Sequence, residues 1–257
     1  MKLEILGSYG GNANFYKLTS FLIDDFLALD AGCLTTALNL DRQYQVTDIV
    51  ISHSHMDHTG SLPYLIDNQF GLTESPLRIW SSPFVLDALR QHIFNDVIWP
   101  DFTKLPNESQ PCMTLEPMSP LETIHIRHLR ITPIPVNHIV PCCAFLVEST
   151  LSGAAILYTA DTTNTDQIWE IANQKENLKG VIVDCSFPNN MTDLAIASGH
   201  MTPQLLAKDL KKLKRPCKIM IYHLKPSFDG KMTQELDDLG LELDYDIQGK
   251  VFEFTST

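Results

Sequence analysis

The stretch from His53 to His58 reads HSHMDH and follows a β-branched apolar run at positions 48–51. A single histidine at a strand end is most often structural, but three in one tight turn, together with Asp57, indicate a metal site. Because side chains alternate along extended backbone, His53 and His55 are expected to point the same way. Asp57 and His58 then face a second position beside the first. One short loop can therefore serve two metal ions.

Two metal ions need more ligands than this loop supplies. Three further polar residues come directly after apolar runs that read as strands, where α/β folds place their chemistry. They are His138, Asp161 and His223. One polar residue at such a place is an ordinary loop residue, whereas three of them indicate a shared site.

The bulk composition limits the class of protein and of substrate. The chain has 257 residues, of which 44% are hydrophobic, so we predict a single domain over residues 1–257. It carries 19 Lys and Arg against 31 Asp and Glu, a net charge of −12. That balance disfavours a protein that tracks nucleic acid or an anionic membrane by charge. The net negative charge is still compatible with an anionic small molecule as the substrate, if bound cations supply positive charge at the site.

The chain shows no targeting or membrane signal. The apolar run at its beginning is too short for a signal peptide and contains Glu4. No stretch approaches the ~20 uninterrupted apolar residues of a membrane span. The six cysteines form no CxxC pair. We therefore expect a reduced, cytoplasmic protein.

The hydrophobic pattern predicts strands early in each half of the chain and helices between and after them. The predicted strands are 3–6, 19–23, 26–29, 46–51, 123–127, 130–136, 144–148, 154–159, 180–184 and 218–222. The predicted helices are 34–40, 62–68, 83–94, 166–172, 191–197 and 203–213. Residues 100–120 are rich in Pro, Asn and Ser and read as an irregular excursion, a lid or a subunit contact. The pattern favours two sheets packed face to face with helices outside.

The cluster HSHMDH, followed in order by His138, Asp161 and His223, resembles the metallo-β-lactamase superfamily. This resemblance implies an α/β fold, an αββα sandwich of two mixed sheets with a dinuclear metal site at one edge. The implied ligands are all histidines and aspartates: His53, His55 and His138 for the first metal, and Asp57, His58 and His223 for the second, with Asp161 bridging.

Other segments are similar to class II cyclic-nucleotide phosphodiesterases, and together they span residues 6–226. They include GSYGG at 7–11, LDAG at 29–32, PVNH at 135–138, DCSFPN at 184–189 and SGHMTP at 198–203. Two residues depart from that family's pattern. Met56 stands where the family usually has Leu, and Asp184 stands where it tends to have Glu, so a shorter carboxylate would have to orient His200.

The resemblance implies hydrolysis of a 3′,5′-cyclic nucleotide to the 5′-monophosphate by a hydroxide held between two divalent ions. Cyclic AMP is favoured as the substrate, cyclic GMP is left open, and the family implies a homodimer. Asp57 would hold the nucleophile as well as a metal, and His200 would donate a proton to the leaving oxygen. His200 can also be read as a cap of the helix that begins at Thr202. Histidine and carboxylate ligands without thiolate favour Zn²⁺, and Mn²⁺ or Fe²⁺ accept the same donors.

Two other functions are compatible with the same ligands. A metallo-β-lactamase-fold ribonuclease that processes the 3′ end of transfer RNA, or another phosphodiesterase, would share the metal site. The net charge of −12 favours a small substrate over such a polyanion. A non-catalytic metal-binding member is the second alternative, and the presence of every expected ligand argues against it.

Overall fold

The computed structural model describes residues 1–256 and consists of two β-sheets flanked by helices. The strands are β1 (Lys2–Gly7), β2 (Ser20–Ile23), β3 (Leu27–Leu29), β4 (Asp48–Val50), β5 (Leu77–Ser81), β6 (Pro106–Asn107), β7 (Gln110–Pro111), β8 (Met113–Pro117), β9 (Ile124–Ile126), β10 (Leu129–Pro135), β11 (Cys143–Ser149), β12 (Ala155–Tyr158), β13 (Leu178–Asp184), β14 (Lys218–Tyr222) and β15 (Val251–Glu253). The helices are α1 (Leu34–Ala37), α2 (Leu40–Gln43), α3 (Met56–Thr59), α4 (Leu62–Gln69), α5 (Pro83–His92), α6 (Gln167–Asn173), α7 (Thr192–Ala197), α8 (Pro203–Leu210) and α9 (Asp229–Asp237). Within residues 1–256, no helix is long and apolar enough to cross a membrane.

Both sheets are mixed, as the resemblance to the metallo-β-lactamase superfamily implies. Over the described residues, the larger sheet has the order β15-β1-β2-β3-β4-β5-β8 and the smaller has the order β14-β13-β12-β11-β10-β9. Strands β3, β4, β5 and β8 run parallel to one another, and so do β12, β13 and β14. The other pairs are antiparallel.

Three hydrophobic layers hold the sandwich together. The central layer contains fully buried side chains from both sheets, among them Phe21, Ile131 and Phe145. Helices α1, α4 and α5 bury their apolar faces against the larger sheet. Helices α6, α8 and α9 do the same against the smaller one, where Trp169 is the largest buried side chain. The order of layers is therefore helix, sheet, sheet, helix, which confirms the predicted fold.

Local sequence explains several element boundaries. Asp24 and Asp25 adopt φ values of 48° and 63°, the conformation of the tight turn that joins two antiparallel strands. Helix α5 begins at Pro83 because the side chain of Ser82 accepts a hydrogen bond from the backbone N–H of Val85.

The excursion over residues 100–120 is only partly irregular. It contains strand β8, which pairs in parallel with β5 and extends the larger sheet. It also contains the short antiparallel pair β6 and β7. The prediction of an irregular stretch was wrong for β8, because its pairing partner lies more than thirty residues earlier and leaves no local pattern. Helix α9 was likewise missed.

The topology brings several strand ends to one edge of the sandwich. Strands β10, β12, β13 and β14 all run in the same direction, so their carboxyl ends lie together. Strand β4 of the other sheet ends at the same edge. The two sheets are joined there by a hydrogen bond of 3.2 Å from the backbone N–H of Cys143 to the carbonyl of Ser52.

Candidate metal centre

The seven residues predicted to bind metal lie together at this edge. Their nitrogen and oxygen atoms form two groups, in each of which all ligand atoms lie within 4.8 Å of one another. The groups are His53, His55, His138 and Asp161, and Asp57, His58, Asp161 and His223. Asp161 belongs to both, which is the arrangement that a bridging carboxylate requires.

The first group has the spacing of a coordination shell. Nε2 of His53 lies 3.1 Å from Nδ1 of His55, and Nε2 of His138 lies 3.3 Å from the same Nδ1. Two nitrogens bound tetrahedrally at the usual zinc–nitrogen distance are roughly 3.3 Å apart. Nε2 of His53 is 3.6 Å from Oδ2 of Asp161, so the carboxylate faces the three imidazoles.

The second group surrounds a buried imidazole nitrogen that has no hydrogen bond within the described residues. Nε2 of His58 is fully buried and makes no hydrogen bond in the described part of the chain. It lies 3.3 Å from Oδ2 of Asp161. Nε2 of His223 is 3.1 Å from that oxygen and 3.1 Å from Oδ2 of Asp57. A buried polar atom without a partner is costly, and a cation at this position would satisfy it.

Hydrogen bonds to the outer nitrogens orient four of the histidines. The Nδ1–H of His58 donates to Asp30 at 2.7 Å, and that of His138 donates to the carbonyl of Gly199 at 3.0 Å. His53 and His223 contact the serine hydroxyls of Ser52 and Ser186 at 3.0 and 2.8 Å. In each case Nδ1 is held from outside and Nε2 is directed inward. Such outer partners fix the tautomer and the ring orientation of metal-binding histidines.

Asp30 is a functional residue to which sequence reasoning assigned no role. It is fully buried and has a φ of 57°. Its Oδ2 accepts hydrogen bonds from Ser52, His58 and Tyr158 at 2.6–2.7 Å, and its Oδ1 accepts one from the backbone N–H of Ser52. The available signal was its place directly after β3, two residues before Gly32.

Tyr222 was also missed, and it holds the shared carboxylate. Its hydroxyl donates to Oδ1 of Asp161 at 2.6 Å, so that Oδ2 faces the histidines His53, His58 and His223. Tyr222 is the last residue of β14, directly before His223. Its orientation is decided by the packing between the sheets, where it is fully buried.

The electrostatics of the two groups differ. Burial lowers the pKa of His53 well below its usual value, and the neighbouring charge of His58 lowers it further. Burial also opposes protonation of His58, but the carboxylates of Asp161 and Asp30 outweigh it and raise the pKa well above the usual value. In the same way, Asp161 and Asp57 overcome burial and raise the pKa of His223 to about 9. The second group therefore lies in a negative field that attracts a cation.

His200, the predicted proton donor, lies beside both groups. Its Nδ1–H donates to Oδ2 of Asp184 at 2.9 Å, so the shorter carboxylate of this chain still reaches the imidazole. Ser186 donates to the other oxygen of Asp184 at 2.6 Å and contacts Nδ1 of His200 at 3.1 Å. The helix-capping interpretation of His200 is unnecessary, because the side chain of Thr202 caps α8.

An open cleft adjoins the metal-ligand groups. It has a volume of about 770 Å³ and is lined by Asp57 together with Asn12, Lys17 and Tyr64. Lys225 lies two residues after His223, and its Nζ donates to the carbonyl of Gly10 at 2.7 Å. Lys17 is thus the lysine that lines the cleft.

The residues present fit divalent metal ions. The donors are imidazole nitrogens and carboxylate oxygens without thiolate, one carboxylate is common to both groups, and one buried nitrogen lacks any other partner.

The sequence model of the family described as cAMP phosphodiesterases class-II matches residues 35–233. The chain belongs to this family. The matched range contains all seven side chains of the two groups. A probable 3′,5′-cyclic-nucleotide phosphodiesterase of Yersinia pestis is 28% identical to this chain, over 92% of this chain and 84% of its own length.

Solved structures agree with this family membership at the level of the fold. Unliganded yeast PDE1 has a TM-score of 0.80 at 20% identity, covering 97% of this chain and 98% of its own. The metallo-β-lactamase-fold protein YhfI of Bacillus subtilis has a TM-score of 0.76 at 20% identity, covering 98% of this chain and 99% of its own. The metallo-β-lactamase fold expected from the sequence is thereby confirmed.

Proposed function

We propose that this protein hydrolyses 3′,5′-cyclic nucleotides to 5′-monophosphates, with cyclic AMP as the first substrate to test. The observation that carries the proposal is the carboxylate of Asp161, shared by two His/Asp groups in a chain of the class-II phosphodiesterase family. Paired ion sites of this kind suit in-line displacement at a phosphodiester.

The proposed ligands are those that the sequence predicts. One ion would be held by His53, His55 and His138, the other by Asp57, His58 and His223, and Asp161 would contact both. Two such ions, when bound, polarise the phosphodiester and lower the pKa of bound water. We propose Zn²⁺, for which nitrogen and carboxylate donors are well suited.

The chain's own residues would position the substrate and handle the proton. Asp57 is 23% exposed at the edge of the cleft, where it can orient the attacking water. His200 presents Nε2 to the site because Nδ1 is held by Asp184. Protonated at Nε2, it would donate that proton to the leaving 3′-oxygen. Before this transfer Asp184 would stabilise the imidazolium, and the low exposure of His200, 7%, limits competition from water.

The test is conversion of cyclic AMP to 5′-AMP by protein with its metals quantified. Turnover is expected to disappear with a chelator and in Asp161→Ala. Asp67→Asn, an exposed carboxylate on α4, is the matched control and should keep full activity. A metal-replete protein that turns over neither cyclic AMP nor cyclic GMP would contradict the proposal. Precursor transfer RNA would then be the next substrate to assay.

The homodimer and the cytoplasmic location remain predictions. Light scattering of the metal-loaded protein tests the first. A mass of one chain at assay concentration would contradict it.

A further inference from the structure

A second cavity lies outside the proposed active site. It has a volume of about 460 Å³, within the size range of small-molecule pockets. Its walls combine aromatic rings with carboxylates: Tyr9, Phe15, Tyr16, Tyr245, Asp229 and Asp246. We call it the tyrosine cavity. None of the proposed metal ligands lines it.

The carboxylates of the tyrosine cavity lack a balancing charge. Among the described residues that line it there is no Lys, Arg or His. Over residues 1–256, neither Asp229 nor Asp246 takes part in an ion pair. Within residues 1–256, the one hydrogen bond that the Asp229 carboxylate accepts is a long one of 3.4 Å from the hydroxyl of Tyr16. The cavity is therefore negative, and a cation would complement it.

Tyr9 contributes a phenol whose ring is buried and whose hydroxyl is open to the cavity. Its side chain is only 7% exposed, it lines the cavity, and its hydroxyl has no hydrogen-bond partner in the described part of the chain. Burial raises the pKa of Tyr9 to about 12, and the charges of Asp229 and Asp246 contribute, so its hydroxyl lies within the field of both carboxylates. The hydroxyl is therefore available to a ligand that occupies the cavity, as donor or as acceptor.

The aromatic rings add a second kind of recognition. Tyr9 and Tyr16 meet edge to face with their centroids 4.6 Å apart. Rings next to carboxylates attract ammonium groups through cation–π and charge-assisted contacts. An anion would be repelled, and a neutral ligand would leave both carboxylates unpaired.

We infer that the tyrosine cavity binds a small organic cation of the alkyl diamine class. One ammonium group would contact Asp229 and the Tyr9 hydroxyl, and the other would reach Asp246 near the rim. The inference does not depend on the proposed phosphodiesterase activity, because it concerns a separate cavity.

The binding site shares one loop with the proposed active site. Asn12 and Asn14 line the cleft beside Asp57, whereas Phe15 and Tyr16 line the tyrosine cavity. Reciprocal backbone hydrogen bonds between Ala13 and Tyr16, at 3.2 and 3.0 Å, close this loop. A bound cation would therefore contact a segment that also forms one wall of the catalytic cleft.

The test is calorimetric titration of the metal-loaded protein with 1,4-diaminobutane at 0.15 M salt, with 1-butanol as the neutral comparison. Saturable one-to-one binding of the diamine alone is expected. Asp229→Asn combined with Asp246→Asn should weaken it at least tenfold. Tyr16→Leu should weaken it at least threefold, because the ring is lost.

A matched variant distinguishes specific binding of the diamine in the tyrosine cavity from nonspecific electrostatic attraction to an acidic protein. Asp67→Asn combined with Asp87→Asn removes the same charge from exposed positions on α4 and α5, and binding should stay within twofold. Absence of saturable binding would overturn the inference. So would an equal loss in both double variants, with circular dichroism verifying that each is folded.

Discussion

Replacing Asp30 by Asn tests whether the buried carboxylate beneath His58 orients the metal site. The aspartate accepts four hydrogen bonds, three on Oδ2 and one on Oδ1. If the Asn oxygen occupies the Oδ2 position, its NH₂ group faces the backbone N–H of Ser52. If the amide is flipped, the NH₂ group faces three donors. Neither orientation of Asn satisfies the site.

The size of the effect follows from these contacts. A hydrogen bond to a charged group contributes about 1.5–3 kcal/mol, and leaving a buried donor unpaired costs a further ~1–3 kcal/mol. We expect Asp30→Asn to lower the free energy of unfolding of the metal-free protein by about 3 kcal/mol. Because the Nδ1–H of His58 loses its charged acceptor, affinity for the metal should fall roughly 10- to 100-fold.

Asp48→Asn is the matched control for this prediction. Asp48 is also fully buried, and it accepts hydrogen bonds from Trp80 at 2.9 Å and from Arg78 at 3.0 Å. It lies at the beginning of β4, whereas the metal-binding loop follows the end of that strand. This variant should be destabilised to a similar extent and keep its metal affinity within threefold.

Urea denaturation of metal-free protein and competition with a chromophoric chelator measure the two quantities separately. If Asp30→Asn binds metal as tightly as the unmodified chain while its stability falls, the proposed role of Asp30 in orienting His58 is wrong. Equal losses of metal affinity in the Asp30 and Asp48 variants would refute the reasoning in the same way.

Three other substitutions are predicted to have separable effects. His200→Ala should leave metal content unchanged and lower cyclic AMP turnover ~10²-fold or more, and an unchanged rate in metal-replete protein would exclude it as the proton donor. Gly10→Ala should weaken metal binding in the same chelator assay, because an added Cβ would overlap the imidazole of His223. The control Gly230→Ala, which has open space around the added Cβ, should bind metal normally. Trp169→Phe should lower the free energy of unfolding by about 2 kcal/mol in urea, since Asp209 loses a buried 2.6 Å hydrogen bond, while metal content stays the same. Loss of metal in this last variant would show that α6 supports the site.

Local sequence predicted most elements of the fold because their signals lie within a few residues. The β-branched apolar run at residues 48–51 predicted the buried strand β4, and helical periodicity over residues 83–94 predicted α5. The strands predicted at 19–23 and 26–29 pair as a hairpin that turns at Asp24 and Asp25. Strand β8 escaped prediction, because it exists through parallel pairing with the distant β5 rather than through its own pattern.

For the candidate site, too, local features were predictable from the sequence and long-range contacts were not. The sequence by itself determined the candidate ligands, because three histidines and an aspartate within six positions, and polar residues after three more strands, are local features. Only the tertiary structure decided what holds them: Tyr158 reaches Asp30 across 128 positions of the chain, and Tyr222 reaches Asp161 across 61. The tyrosine cavity is also a product of folding, since it joins Tyr9 and Tyr16 to Asp229 and Asp246. Such contacts depend on how two sheets pack face to face, and no sequence period records that packing.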